Sequence, residues 1–98
     1  MLLSLDHSKK NLVGLAIEKS IIDVGGNKML YQVLNFLYEN YSCYVADCLE
    51  HPKYILGALK EQDAKHAGLI LDSINKKLEE YSDNKSILMF LMVLNTLK

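Results

Sequence analysis

Apolar residues recur along this chain at helical spacing, and no segment alternates apolar with polar positions as a half-buried strand would. The first such face is Leu12, Val13, Ala16, Ile17, Ser20, Ile21 and Val24, spaced i, i+1, i+4, i+5, i+8 as an amphipathic helix requires. Asp6 or Ser8 offers a capping oxygen at its start. Gly25-Gly26 ends it, because glycine enters the left-handed conformation of helix C-termini without a Cβ penalty. No strand precedes this pair and no GxGxxG pattern contains it, so it reads as a cap and not as a phosphate-binding turn. Asn27 then opens a second helix to about Asn40. Its inner stripe is Leu30, Val33, Leu34, Leu37 and Tyr41, with Met29, Phe36 and Tyr38 on an apolar flank.

Ser42 caps a short third helix, Cys43 to about Glu50, with Val45, Cys48 and Leu49 inward. His51-Pro52 is the clearest punctuation, since proline disfavours an α conformation before it and suits the first helical turn itself. A fourth helix therefore starts at Pro52, with Ile55, Leu56 and Leu59 inside. Asp63 caps a fifth, striped by Ala67, Ile70, Leu71, Ile74, Leu78 and Tyr81. Its other face is charged, and Asp72/Lys76 has the favourable i, i+4 order. Nothing between Lys60 and Lys65 strictly breaks a helix, so the fourth and fifth can merge. Ser82-Asp83-Asn84 breaks the chain before a last helix.

That last helix contains eight consecutive apolar residues, Ile87 to Leu94. The run is too short to cross a membrane, which takes about 20. Only Ile87 and Val93 in it are β-branched, which favours helix over a buried strand. A helix apolar on every side must be surrounded, by its own domain or by another copy. Met89, Phe90, Leu91, Met92 and Leu94 are accordingly the candidate interface residues of a homodimer or larger homo-oligomer. The expected fold is all-α: one domain, residues 1–98, a compact bundle of five or six short helices with a hydrophobic C-terminal helix.

Composition narrows the chemistry. Eleven basic and twelve acidic side chains leave a formal charge of -1, without the basic excess of a nucleic-acid binder. A helix-turn-helix could be placed at helices two and three or three and four. The third helix would then offer acidic Asp47 and Glu50, the fourth only Lys53 and Lys60. The chain has no arginine, the residue of the commonest specific base contact. Cys43, Cys48, His51 and His66 are the one set with zinc-ligand chemistry. Cys43 and Cys48, however, are five apart, roughly 140° around a helix, against the C-x₂₋₄-C of structural zinc. The same residues with Asp47 could be drawn as a nucleophile, base and orienting group, but no local signature joins them. No metal, cofactor or catalytic residue is expected. The start lacks a basic leader and a long apolar segment, so a cytoplasmic location is expected. Four of the six tyrosines fall between positions 31 and 44, and phenols suit surfaces with one apolar and one wet side.

The segment His51-Pro52-Lys53-Tyr54-Ile55-Leu56-Gly57-Ala58-Leu59-Lys60, followed by Ile70, Ile74 and Leu78, carries a resemblance. With Leu30-Tyr31 upstream and Phe90-Leu91 downstream, it resembles the small archaeal single-domain helical proteins of unknown function called the NitrOD-like group. Gln62-Asp63 stands where that pattern has an aromatic-glycine junction. The resemblance implies an archaeal, all-helical module and supplies no catalytic residue. The expected function is a non-enzymatic helical interaction or regulatory module that self-associates. The alternatives are a helix-turn-helix DNA-binding regulator and a small thiol- or metal-dependent sensor.

Overall fold

A glycine and an aspartate decide how this chain doubles back. The computed structural model describes residues 2–97, with side chains from residue 9 to residue 96. Three α-helices account for most of it: α1 (Leu2–Tyr41), α2 (Pro52–Leu78) and α3 (Lys85–Leu97). Two 3₁₀ turns, Val45–Leu49 and Glu79–Tyr81, lie between them, and no strand occurs among the described residues. The fold is all-helical, but the expected five or six helices are three. The breaks foreseen at Gly25-Gly26 and Asp63 are single non-helical residues inside α1 and α2, not loops that separate helices.

The kink in α1 is nevertheless large. Its 40 residues would stretch about 60 Å if straight, whereas the molecule measures 37 × 24 × 21 Å. Gly26, at φ 79° and ψ 179°, makes the reversal in a region open essentially to glycine alone. Asp63 interrupts α2 at φ -161° and ψ 80°, and its Oδ1 accepts the backbone N–H of His66 at 3.2 Å. It thus caps the second half of α2 as expected of an N-cap aspartate.

Other boundaries moved. Asp6 and Ser8 fall inside α1 and do not start it; their side chains lie outside the described residues. Ser42 caps nothing downstream. It takes a left-handed φ of 53° and donates its N–H to Tyr38 O at 2.9 Å, the bond that closes a helix C-terminus. The expected third α-helix is only the 3₁₀ turn Val45–Leu49. Asp47 Oδ2 accepts Tyr44 N–H at 2.9 Å and fixes the start of this turn, and Pro52, lacking an N–H, prevents its continuing into α2. α2 itself begins at Pro52, as read from the sequence. Asn84 Oδ1 accepts the N–H groups of Ser86 and Ile87 at 3.0 and 3.3 Å, which starts α3.

The core follows the helical stripes. Val13, Ile17 and Ile21 of α1 meet Val33 and Leu37 from beyond the kink and Ile55, Leu59, Ile70, Ile74 and Leu78 of α2 in one buried cluster. Met29, expected on a flank, is buried, while Tyr41 and Tyr81, expected inside, are more than a third exposed. The reversal at Gly26 turns the second half of α1 so that Met29 faces inward. Gly14 lets α1 approach the 3₁₀ turn, since a Cβ there would sit 3.3 Å from Ala46 Cα. The radius of gyration, 12.4 Å, is that of a compact chain of this length.

Candidate interaction site

α3 sits at the rim of the bundle, packed on α2 and on the 3₁₀ turn at Val45–Leu49. Its apolar run therefore divides in two. Ile87, Phe90, Leu91 and Leu94 are buried in the monomer core. Leu88, Met89 and Met92 face outward, 42%, 56% and 58% exposed. Of the five candidate interface residues, the structure thus brings Phe90, Leu91 and Leu94 into the protein's own core and leaves Met89 and Met92 on its surface. Leu88, which sequence reasoning passed over, completes the outer patch at the i, i+1, i+4 spacing of one helix face. Asn75 and Asn95 lock the other edge of α3 to α2, each side-chain amide donating to the other's carbonyl at 3.0 Å.

A groove of about 410 Å³ runs beside this patch, lined by Leu49, Glu50, Pro52, Ser86, Met89, Phe90 and Val93. Leu49, Glu50 and Ser86 also line an adjoining depression of about 340 Å³ with Lys9 and Lys10. Lys10 is 2.6 Å from Glu50 and 3.8 Å from Asp47, a link between α1 and the 3₁₀ turn at the groove's mouth. Being partly exposed, it is worth at most about 1 kcal/mol.

The other chemistry-bearing residues are spread over the molecule. Cys43 and Cys48 are both buried neighbours, and the Cys48 thiol donates to Tyr44 O at 3.9 Å. Burial, then the neighbouring Cys43 and Asp47, pushes the Cys48 thiol up to about 12; burial and Asp47 also raise Cys43. Both thus remain thiols at neutral pH, whereas a cysteine nucleophile acts as the thiolate. His51 stacks on Tyr54 with 4.7 Å between ring centroids. His66 lies elsewhere on α2, its Nδ1 2.6 Å from Asp63 Oδ2, and that bond holds the Asp63 carboxyl below its ordinary value. The set Cys43, Cys48, His51 and His66 therefore brings only its two cysteines together. Among the described residues, no three His, Cys, Asp or Glu side chains cluster as metal ligands would. The third helix invoked for either helix-turn-helix placement is a five-residue 3₁₀ turn with Val45 and Cys48 buried.

The tyrosines form a second surface. Tyr41 stacks on Tyr54 at 3.9 Å with the planes 1° apart. Two parallel rings so close to the Tyr54 centroid cannot share one of its faces, so Tyr54 is sandwiched between Tyr41 and His51. Phe36 meets Tyr41 edge-on at 6.2 Å, and Tyr38 meets Tyr44 at 6.1 Å. These contacts leave Tyr31, Tyr38 and Tyr44 as exposed as the outer residues of α3, but their phenol hydroxyls suit water as the α3 side chains do not. Among the described residues, no helix is long and apolar enough to cross a membrane. Compared with protein-family models, curated proteins and solved structures, the chain matches none.

Proposed function

We propose that this chain is a non-enzymatic interaction module that pairs with a second copy of itself through the outer face of α3. The observation that carries the reading is the contiguous Leu88, Met89 and Met92 patch beside an apolar groove on a rim helix. Removing such a patch from water is favourable at roughly 25 cal/mol per Å², and a self-complementary contact about a two-fold axis is the commonest way to do it. The thiols stay protonated in the core, Asp47 is bonded to Tyr44, and His51 is stacked on Tyr54. These engagements support a packing role for the residues that catalysis would need.

The patch is confined to one helix of 13 residues, smaller than the roughly 800 Å² per partner of standard stable complexes. The pairing is accordingly weak, with a dissociation constant on the order of 10–1000 μM. Sedimentation of the native protein from 10 μM to 1 mM tests it, with Met89→Glu and Met92→Glu alongside. Either substitution weakens pairing by about tenfold or more, since each buries a charge in an apolar contact, and both leave helicity intact because the positions are exposed. A native chain that stays monomeric at 1 mM overturns the proposal.

A further inference from the structure

The outward apolar residues of α3, Leu88, Met89 and Met92, are centred on its middle turn, and full overlap of two such patches sets the level at which two copies meet. We infer that the partner's α3 lies antiparallel to it, at a shallow crossing angle, with the two-fold axis passing between residues 90 and 91. This inference rests on the self-association proposed above and adds orientation and register to it. About that axis Met89 faces the partner copy's residue 92, Leu88 packs on the flank of the same residue 92, and Lys85 faces residue 96. Every contact on the patch is then between apolar side chains. Val93 is also a wall of the groove formed with Leu49, Pro52 and Phe90, so the groove flank of one copy meets the opposing copy's residue 89.

Charge selects the same orientation. α3 has no acidic residue in its first turn and carries Lys85 there, at the positive pole of the helix dipole, where a cation is disfavoured. Antiparallel pairing moves each Lys85 beside the last carbonyls of the opposing helix, its negative pole, next to the exposed and uncharged Asn95 and Thr96. Parallel pairing would instead place two Lys85 side by side at two positive poles. The edge of α3 carrying Asn95 is already held by Asn75, which leaves the patch and the groove as the side open to a second helix.

Disulfide trapping tests orientation apart from association. Lys85→Cys and Thr96→Cys are made separately, and both sites are exposed, so neither disturbs the core. Each variant is oxidised alone and as an equimolar mixture, with the native chain as control for Cys43 and Cys48. In the antiparallel register residue 85 faces residue 96 of the other copy. Two copies of residue 85 lie about 16 Å apart along the axis, beyond the roughly 7 Å between Cα atoms that a disulfide spans. The mixture should give at least tenfold more covalent dimer than either variant alone. Efficient self-linking of Lys85→Cys would mean parallel pairing and would overturn the inference. So would a native chain that sediments as a dimer while no combination cross-links, since another face would then be in use. A native chain monomeric at 1 mM overturns the self-association reading itself, and the register falls with it.

Discussion

Two glycines in open space predict opposite responses to the same substitution. A Cβ added at Gly26 or at Gly68 would meet nothing within 4 Å, so packing makes no distinction between them. Backbone conformation does. Gly68 lies in regular helix on the exposed side of α2, where alanine is favoured by about 0.5–1 kcal/mol. Gly26 holds φ 79° and ψ 179°, where a side chain costs about 1–3 kcal/mol. The restricted unfolded chain offsets about 0.4–1 kcal/mol of that, for a net loss of about 1–2 kcal/mol. For a domain of this size 1 kcal/mol corresponds to about 4–8 °C in Tm. Gly26→Ala should therefore melt about 5–15 °C lower than the native chain, and Gly68→Ala about 2–8 °C higher. Circular dichroism at 222 nm against temperature measures both, and urea midpoints check that the difference is one of stability. Alanine also favours continued helix at the break, but straightening α1 would pull Met29, Val33 and Leu37 out of the core. The variant should thus keep its compact dimensions in small-angle scattering. Equal or higher stability for Gly26→Ala would refute the reversal of the chain at this residue.

Ser20 is fully buried and its hydroxyl has no hydrogen-bond partner, so Ser20→Ala removes an uncompensated polar group. It should be neutral or stabilising by about 1 kcal/mol in chemical denaturation, and a loss of more than 1 kcal/mol would show that the hydroxyl is bonded. Cys48 gives a pH signature. Its folded value lies at about 12, above the ordinary 9.0, so its contribution is complete below pH 9 and declines as the pH rises from 9 towards 12. Between pH 9 and 10 the native chain should lose up to about 1.4 kcal/mol more than Cys48→Ala does, read as the difference in urea midpoints; parallel profiles would place the thiol in water.

The sequence pattern was a good guide to which residues are buried and a poorer one to how the helices connect. Ile55, Leu56 and Leu59, and Ala67, Ile70, Leu71, Ile74 and Leu78, occupy the core as their spacing requires. Periodicity reports the burial of a face directly. The number of helices depends on what happens at single residues. Gly26 and Asp63 depart from helical geometry so briefly that helix resumes at once on either side, and a sequence signal for a break does not measure its length. Tyr41 was misplaced for a related reason. Its spacing suits the inner stripe, yet the left-handed Ser42 ends α1 one residue later, and the ring finds Tyr54 at the surface. The contact between Cys43 and Cys48 was illegible because the expected helix would have pointed them about 140° apart, whereas the chain between them leaves an extended Tyr44 for a tighter 3₁₀ turn.

The candidate site shows where such reasoning meets its limit. An all-round apolar run demands cover on every side but does not say which side the domain itself provides. That depends on the helices α3 lies against, and those contacts are set by α2 and the turn at Val45–Leu49, far away in sequence. Once α3 is at the rim, the side chains sort by chemistry as well as by angle. The stiff, bulky Phe90 and Ile87 and the branched Leu91 and Leu94 fill the fixed core, while two of the three outward apolar residues are methionines. An unbranched thioether adapts its shape to whatever it meets, which suits a weak contact that must form and break. An internal helix would gain nothing from placing its flexible residues together on one side. A helix meant to meet a second copy reversibly gains tolerance of imperfect fit, and this segregation of flexible from rigid side chains is what favours pairing over simple exposure.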